Sequence, residues 1–327
     1  DMTLECPGDT TTGNTGVATG SDDCGAVAIT YSDSETPGSC PGAYTLSRTW
    51  TATDECGNVA TCVQTIVVED MTPPTITCPA DMTLECPGDT STGNTGVATG
   101  SDDCGAVTIS YSDSETPGAC PGAYTVSRTW TATDECGNVA TCVQTIVVED
   151  MTPPTITCPA DMTLECPGDT TTGNTGVATG SDDCGSVTIT YSDSETPGAC
   201  PGAYTLSRTW TATDECGNVA SCVQTIVVED MTPPTITCPA DMTLECPGDT
   251  TTGNTGVATG SDDCGAVAIT YSDSEAPGAC PGSYTLSRTW TATDECGNVA
   301  TCVQTIVVED MTPPTITCPA DMTLECP

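Results

Sequence analysis

Histidine, lysine and phenylalanine are absent from these 327 residues, and four arginines are the only basic side chains. Without histidine the chain lacks the side chain that ordinarily exchanges protons near neutral pH. Histidine-bearing zinc modules are excluded too, and no Cys-x-x-Cys pair offers an all-thiolate substitute. A net charge of −42 repels nucleic acid and anionic membranes. Only carboxylate pairs remain for catalysis, as in glycosidases. Four equivalent active sites on small repeated units make poor chemistry, so no enzyme is expected.

Apolar bulk is scarce as well. Each repeat carries one Trp and two Tyr, and Thr, Ser, Gly and Ala fill many of the other positions. A unit of this size buries only about 60–65% of its unfolded surface, so a core built this way needs help. Twenty-five cysteines, six per repeat plus Cys326, supply it. Three disulfides at about 2–4 kcal/mol each would make up the shortfall, and that cysteine density points to an oxidising, extracellular compartment.

The segment DMTLECPGDT begins at Asp1, Asp81, Asp161 and Asp241, and DMTLECP closes the chain from Asp321. The period is 80 residues without insertion or deletion, and differences such as Thr11 against Ser91 or Leu46 against Val126 are small. One small domain per period is expected, as beads on a string. Cutting at the Pro-rich stretch Glu149-Asp150-Met151-Thr152-Pro153-Pro154 gives complete domains at 71–150, 151–230 and 231–310. Residues 1–70 then form a repeat lacking its first strand, and 311–327 the first strands of a further one. With no initiator Met, leader or long apolar span, the sequence reads as a window on a longer secreted array.

Within 71–150, Thr75–Cys78 and Met82–Cys86 alternate apolar and polar residues, the period of half-buried strands. A short strand near Val97–Thr99 and a third through Val107, Ile109 and Tyr111 follow. Residues 112–122 read as irregular, with room for one brief edge strand. Tyr124–Thr133 and Val139–Glu149 form a long hairpin around a Cys-Gly-Asn corner, and nothing reads as helix. Short strands, Gly/Pro turns and this length indicate an all-β sandwich. Arg128 falls on the same face as Val126 and Trp130; a bulge turning it outward, or a cation–π contact with Trp130, would accommodate it.

TPPTITCPADMTLECP together with RTWTATDECGNVATCVQTIVVED resembles the hyalin repeat family of extracellular immunoglobulin-like modules, and the match covers each full repeat. The resemblance implies tandem immunoglobulin-like β-sandwich domains in cell-surface or matrix proteins. Near-identical tandem copies are similar to bacterial adhesins and gliding-type fibres. Laid onto the chain path that the resemblance implies, the cysteines are expected to close within each repeat. The pairs are Cys78–Cys142, Cys86–Cys120 and Cys104–Cys136; Cys158–Cys222, Cys166–Cys200 and Cys184–Cys216; and Cys238–Cys302, Cys246–Cys280 and Cys264–Cys296. In the first repeat only Cys6–Cys40 and Cys24–Cys56 are expected to close, leaving Cys62, Cys318 and Cys326 without partners within this window. A cross-hairpin Cys136–Cys142 bridge is the competing arrangement.

The same implied path delivers carboxylates to each joint. Glu69 and Asp70 approach Asp102, Asp103, Asp134 and Glu135 of the following repeat. The equivalent sets are Glu149, Asp150, Asp182, Asp183, Asp214 and Glu215, and Glu229, Asp230, Asp262, Asp263, Asp294 and Glu295. Six converging acids need a counter-ion, and calcium, with six to eight oxygen ligands in irregular geometry, suits them. Equally, such acids cap turns and face water, and no Asp-x-Asp-x-Asp-Gly loop is present.

The function expected is therefore the structural shaft of an extracellular filament or cell-surface adhesin. Its partners are neighbouring repeats of the same chain and copies of itself in a fibre. The alternative is a multivalent glycan- or surface-binding module acting by avidity, using Thr-rich faces, Trp130 and the 112–122 loop. An exposed Trp would favour it. No N-glycosylation sequon occurs.

Overall fold

A computed structural model describes residues 1–323. By internal contacts the chain forms two units. One comprises Asp1–Pro154 with Asp182–Val187 and Asp214–Asn218; the other comprises Thr155–Ser181, Thr188–Thr213 and the chain from Val219 onward.

The second repeat supplies the element labels: β1 (Thr75–Thr77), β2 (Met82–Glu85), α1 (Thr92–Thr95), β3 (Thr99–Ser101), β4 (Val107–Pro117), β5 (Tyr124–Asp134) and β6 (Val139–Glu149). One sheet has the order β2-β6-β5-β4, and β1 pairs with β3 in a separate ribbon. Strand β2 runs parallel to β6, with Met82 opposite Ile146, whereas β6, β5 and β4 are antiparallel. The later repeats have the same order of elements. This is the all-β, immunoglobulin-like sandwich expected.

Strand β5 shows why the sheet forms. Val126, Arg128, Trp130, Ala132 and Asp134 are buried and alternate with half-buried Ser127, Thr129, Thr131 and Thr133, a pattern that suits a pleated sheet with one face covered. Val126, Trp130, Ala132, Ile146 and Val148 form the core of this repeat. Two polar side chains share it. Gln144, fully buried, accepts from Trp130 Nε1 at 3.3 Å and donates to the carbonyls of Thr95 (2.8 Å) and Ala80 (3.0 Å). Arg128 forks onto Asp113 at 2.7 and 2.8 Å, and also reaches Thr95 Oγ1 and the Thr90 carbonyl.

Several local expectations change. Arg128 keeps its inward register opposite Gln144, without a bulge. Its guanidinium lies 4.6 Å from the Tyr111 ring centroid and 5.9 Å from that of Trp130. Residues 112–117 continue β4 rather than forming an irregular segment, because Asp113 must face Arg128 across the ladder. The 90–96 loop contains one helical turn, α1, closed by the Thr95 N–H on the Ser91 carbonyl. The short strand begins at Thr99 rather than Val97. There a Cβ on Gly100 would lie 2.9 Å from the Thr75 carbonyl oxygen, so a residue without one allows the ribbon to close. In residues 1–70 a groove of about 380 Å³ is lined by Ile29, Trp50, Ala52 and Cys62.

Candidate metal centre at the joints between repeats

The β5–β6 corner is built by its first residue. Asp134 Oδ1 accepts the amides of Cys136 (2.8 Å) and Asn138 (2.9 Å), and Gly137 takes the left-handed φ of +94° that closes the turn. Asp102 organises the neighbouring turn in the same way, accepting the Cys104 amide at 2.8 Å. Both turns approach the end of the preceding repeat, where Asn138 Nδ2 donates to the Asp70 carbonyl at 3.1 Å. Asn218 and Asn298 repeat this contact on Asp150 and Asp230.

Carboxylate oxygens converge at each joint. In the first unit, Asp70 and Asp102 gather with Cys104, and Asp150 gathers with Asp182 and Cys184 and with Asp214 and Cys216. In the second unit, Asp230 meets Asp262 and Asp294, and also Glu165 and Cys264. Candidate ligand atoms within each group lie within 4.8 Å of one another. Asp134, Asp214 and Asp294 are each only 6% exposed, and the Oδ2 atom of each has no hydrogen-bond partner.

The electrostatics follow from this crowding. Burial, then the charges of Asp102, Asp134 and Glu5, push the Asp70 carboxyl above its usual range. Asp150 and Asp230 are raised by the same causes at their own joints. Burial also works against the charge of Asp134, but hydrogen bonds from Asn138, Cys136 and Gly137 outweigh it and hold the group below its ordinary value. Each joint thus pairs a carboxylate fixed in its ionised form with one that resists ionising.

Of the acids expected at the joints, Asp70, Asp102, Asp150, Asp182, Asp214, Asp230, Asp262 and Asp294 lie in the clusters, and Asp134 adds its charge to Asp70. Glu69, Glu149 and Glu229 end their strands exposed to solvent and take no part, nor do Asp103, Asp183 and Asp263. Glu135 and Glu295 instead fold back to accept the Ala106 and Ala266 amides, and Glu215 lies against Gly185. An unexpected residue enters from β2. Glu85 accepts the amides of Met151 and Thr152, Glu5 accepts that of Met71, and Glu165 those of Met231 and Thr232. Parallel pairing of β2 with β6 puts Glu85 opposite Glu149, beside the exit to the next repeat.

The cysteine pairing also departs from expectation. Cys78–Cys142, Cys158–Cys222 and Cys238–Cys302 close within their repeats, with Cα–Cα distances of 5.9 Å. Cys86–Cys120, Cys104–Cys136, Cys166–Cys200, Cys184–Cys216, Cys246–Cys280 and Cys264–Cys296 do not form, and neither do Cys6–Cys40 and Cys24–Cys56. Cys136 bonds Cys40, Cys216 bonds Cys120, Cys296 bonds Cys200, and Cys184 bonds Cys86. The physical reason lies in the turns. Cys104 and Cys136 occupy corners facing the preceding repeat, within reach of its Cys6 and Cys40. The competing Cys136–Cys142 bridge is absent because Cys142 is taken by Cys78. Cys62 and Cys318 have no bridge partner among the described residues, and Cys326 lies outside them.

No family model matches the chain. It is 33% identical over 328 residues to Hyalin of Lytechinus variegatus, covering 92% of this chain and 59% of that protein. It is 31% identical over 301 residues to Hyalin of Strongylocentrotus purpuratus, covering 84% of this chain and 24% of that protein. The chain thus spans less than two thirds of one relative and about a quarter of the other. Among solved structures it aligns loosely with a protocadherin GammaB4 extracellular domain (TM-score 0.32, 13% identity, 86% of this chain and 61% of that one). Drosophila N-cadherin EC1-4 gives a TM-score of 0.29 at 12% identity, covering 94% and 98% of the two chains. Nothing in these matches supports the expected likeness to bacterial fibres. The two relatives named Hyalin support the hyalin-repeat family for this chain.

Proposed function

We propose that the chain is a segment of an extracellular adhesion protein, in which repeats are stiffened against one another by disulfides and by calcium at each joint. The observation that carries the reading is the buried, unpartnered Oδ2 of Asp134, Asp214 and Asp294, set beside the acids of Asp70, Asp150 and Asp230. Unpaired buried carboxylate oxygens are costly, and a hard cation coordinated by oxygen relieves both the orphaned atom and the mutual repulsion. Asp102, Asp182, Asp262 and the β2 glutamates Glu5, Glu85 and Glu165 would complete the set. With Cys184 and Cys216 consumed in disulfides, oxygen is the donor left at the joint they share, which favours calcium over softer metals.

Seven bridges among the described residues support the extracellular assignment. Neighbouring repeats are the first partners, and further copies of the chain are the natural ones in a fibre. The avidity reading loses its main support because Trp130, Trp210 and Trp290 are each 2% exposed.

Calorimetric titration with calcium tests the proposal. Binding is expected with a Kd of about 10⁻⁴–10⁻³ M, the range of extracellular modules, with a rise in Tm that a chelator reverses. Asp214→Asn should weaken one site and leave the others. Absence of binding heat at millimolar calcium, with Tm unchanged, overturns it.

A further inference from the structure

We propose that Cys6 is joined to Cys104, and Cys166 to Cys264, by disulfides, so that the three joints between the four repeats each carry two bridges. The joint that holds Cys86 and Cys184 is the precedent. There the bond forms at a Cα–Cα distance of 5.8 Å, and Cys120–Cys216 lies beside it as the other bridge. Cys6 and Cys104, and Cys166 and Cys264, occupy the same positions one period earlier and later.

The geometry at the three joints is the same. A Cβ built on Gly122 would lie 2.9 Å from Cys86 Sγ and 3.1 Å from the Cys184 carbonyl oxygen. On Gly42 the distances are 2.9 Å to Cys6 Sγ and 3.2 Å to the Cys104 oxygen; on Gly202 they are 2.9 Å to Cys166 Sγ and 3.1 Å to the Cys264 oxygen. Sulfur and partner turn therefore meet in one arrangement at all three joints. Burial, and after it the Cys6 side chain, push the Cys104 thiol up to about 12, and burial and Cys166 do the same to Cys264. The rival partners are taken, because Cys40 holds Cys136 and Cys200 holds Cys296.

Closing each pair removes two protons and two electrons. They pass to a disulfide-bearing oxidant such as oxidised glutathione, which leaves as two thiols through a mixed-disulfide intermediate. No metal takes part, so the inference stands independently of calcium.

The test is done on the full chain in the presence of chelator. The unreduced protein is denatured, alkylated with iodoacetamide and digested with pepsin in acid, and its linked peptides are sequenced by mass spectrometry. Ser110 and Ala276 identify the peptides carrying Cys104 and Cys264 despite the repetition. Cross-linked Cys6–Cys104 and Cys166–Cys264 peptides, with these four residues unalkylated, are expected. A second arm uses Cys104→Ser and asks which thiol is released. Release of Cys6 supports the bridge; release of Cys136 identifies the within-repeat pairing and overturns it. Should the variant fail to fold, the map of the unsubstituted protein decides alone. Alkylated Cys6 and Cys104, or Cys6–Cys40 peptides, overturn the proposal.

Discussion

Arg128 and Gln144 do at the residue scale what larger apolar side chains do in other sandwiches. They fasten the 90–96 loop to the four-stranded sheet through Thr90, Thr95 and Ala80. Gln144→Ala would strand the Trp130 N–H and two carbonyls, each costing about 1–3 kcal/mol when buried. We expect that repeat to lose about 3 kcal/mol, visible as an early step in urea unfolding. The Arg128–Asp113 pair sets an acid limit. The Arg128 hydrogen bond holds the Asp113 carboxyl below its ordinary 3.8. A depressed carboxyl adds stability above the unfolded value and loses it as pH falls through the folded one. Asp113→Asn should therefore flatten the fall in stability below about pH 4, as followed by circular dichroism across an acid titration.

At the scale of the element, the β5–β6 hairpin was legible because strict alternation from Tyr124 to Thr133 and the Cys-Gly-Asn corner each have a local cause. The extent of β4 was not. Its outer residues, Ser112 to Thr116, are polar and exposed, and only the ladder with β5 and the Asp113–Arg128 pair make them strand. The clusters were half legible: Asp102 and Asp134 stand in recognisable turns, whereas Glu85 reaches the joint only through a parallel pairing that no local pattern announces. Gly122 belongs to the same class. It has φ +81° and lies against the Cys86–Cys184 bridge. Ala there would meet left-handed backbone at about 1–2 kcal/mol and crowd the sulfur. Gly122→Ala should speed reduction of Cys86–Cys184 by dithiothreitol while leaving Cys78–Cys142, in the same repeat, at its parent rate.

For the whole molecule, repetition concealed the connectivity. A period that copies every cysteine makes pairing within a repeat and pairing to the next repeat equally consistent with spacing, and only the placement of turns decides between them. The bridges at a sequence separation of 96 have a mechanical consequence. Tension entering the second repeat at Cys136 can leave it at Cys120, crossing only the strand between them before passing through sulfur to Cys216. That strand is already extended, near the limit of about 3.3–3.6 Å per residue. Eleven of the residues between the two sulfurs, Tyr124–Asp134, are thus already drawn out as strand, so this segment of the second repeat takes up pull with little slack to give.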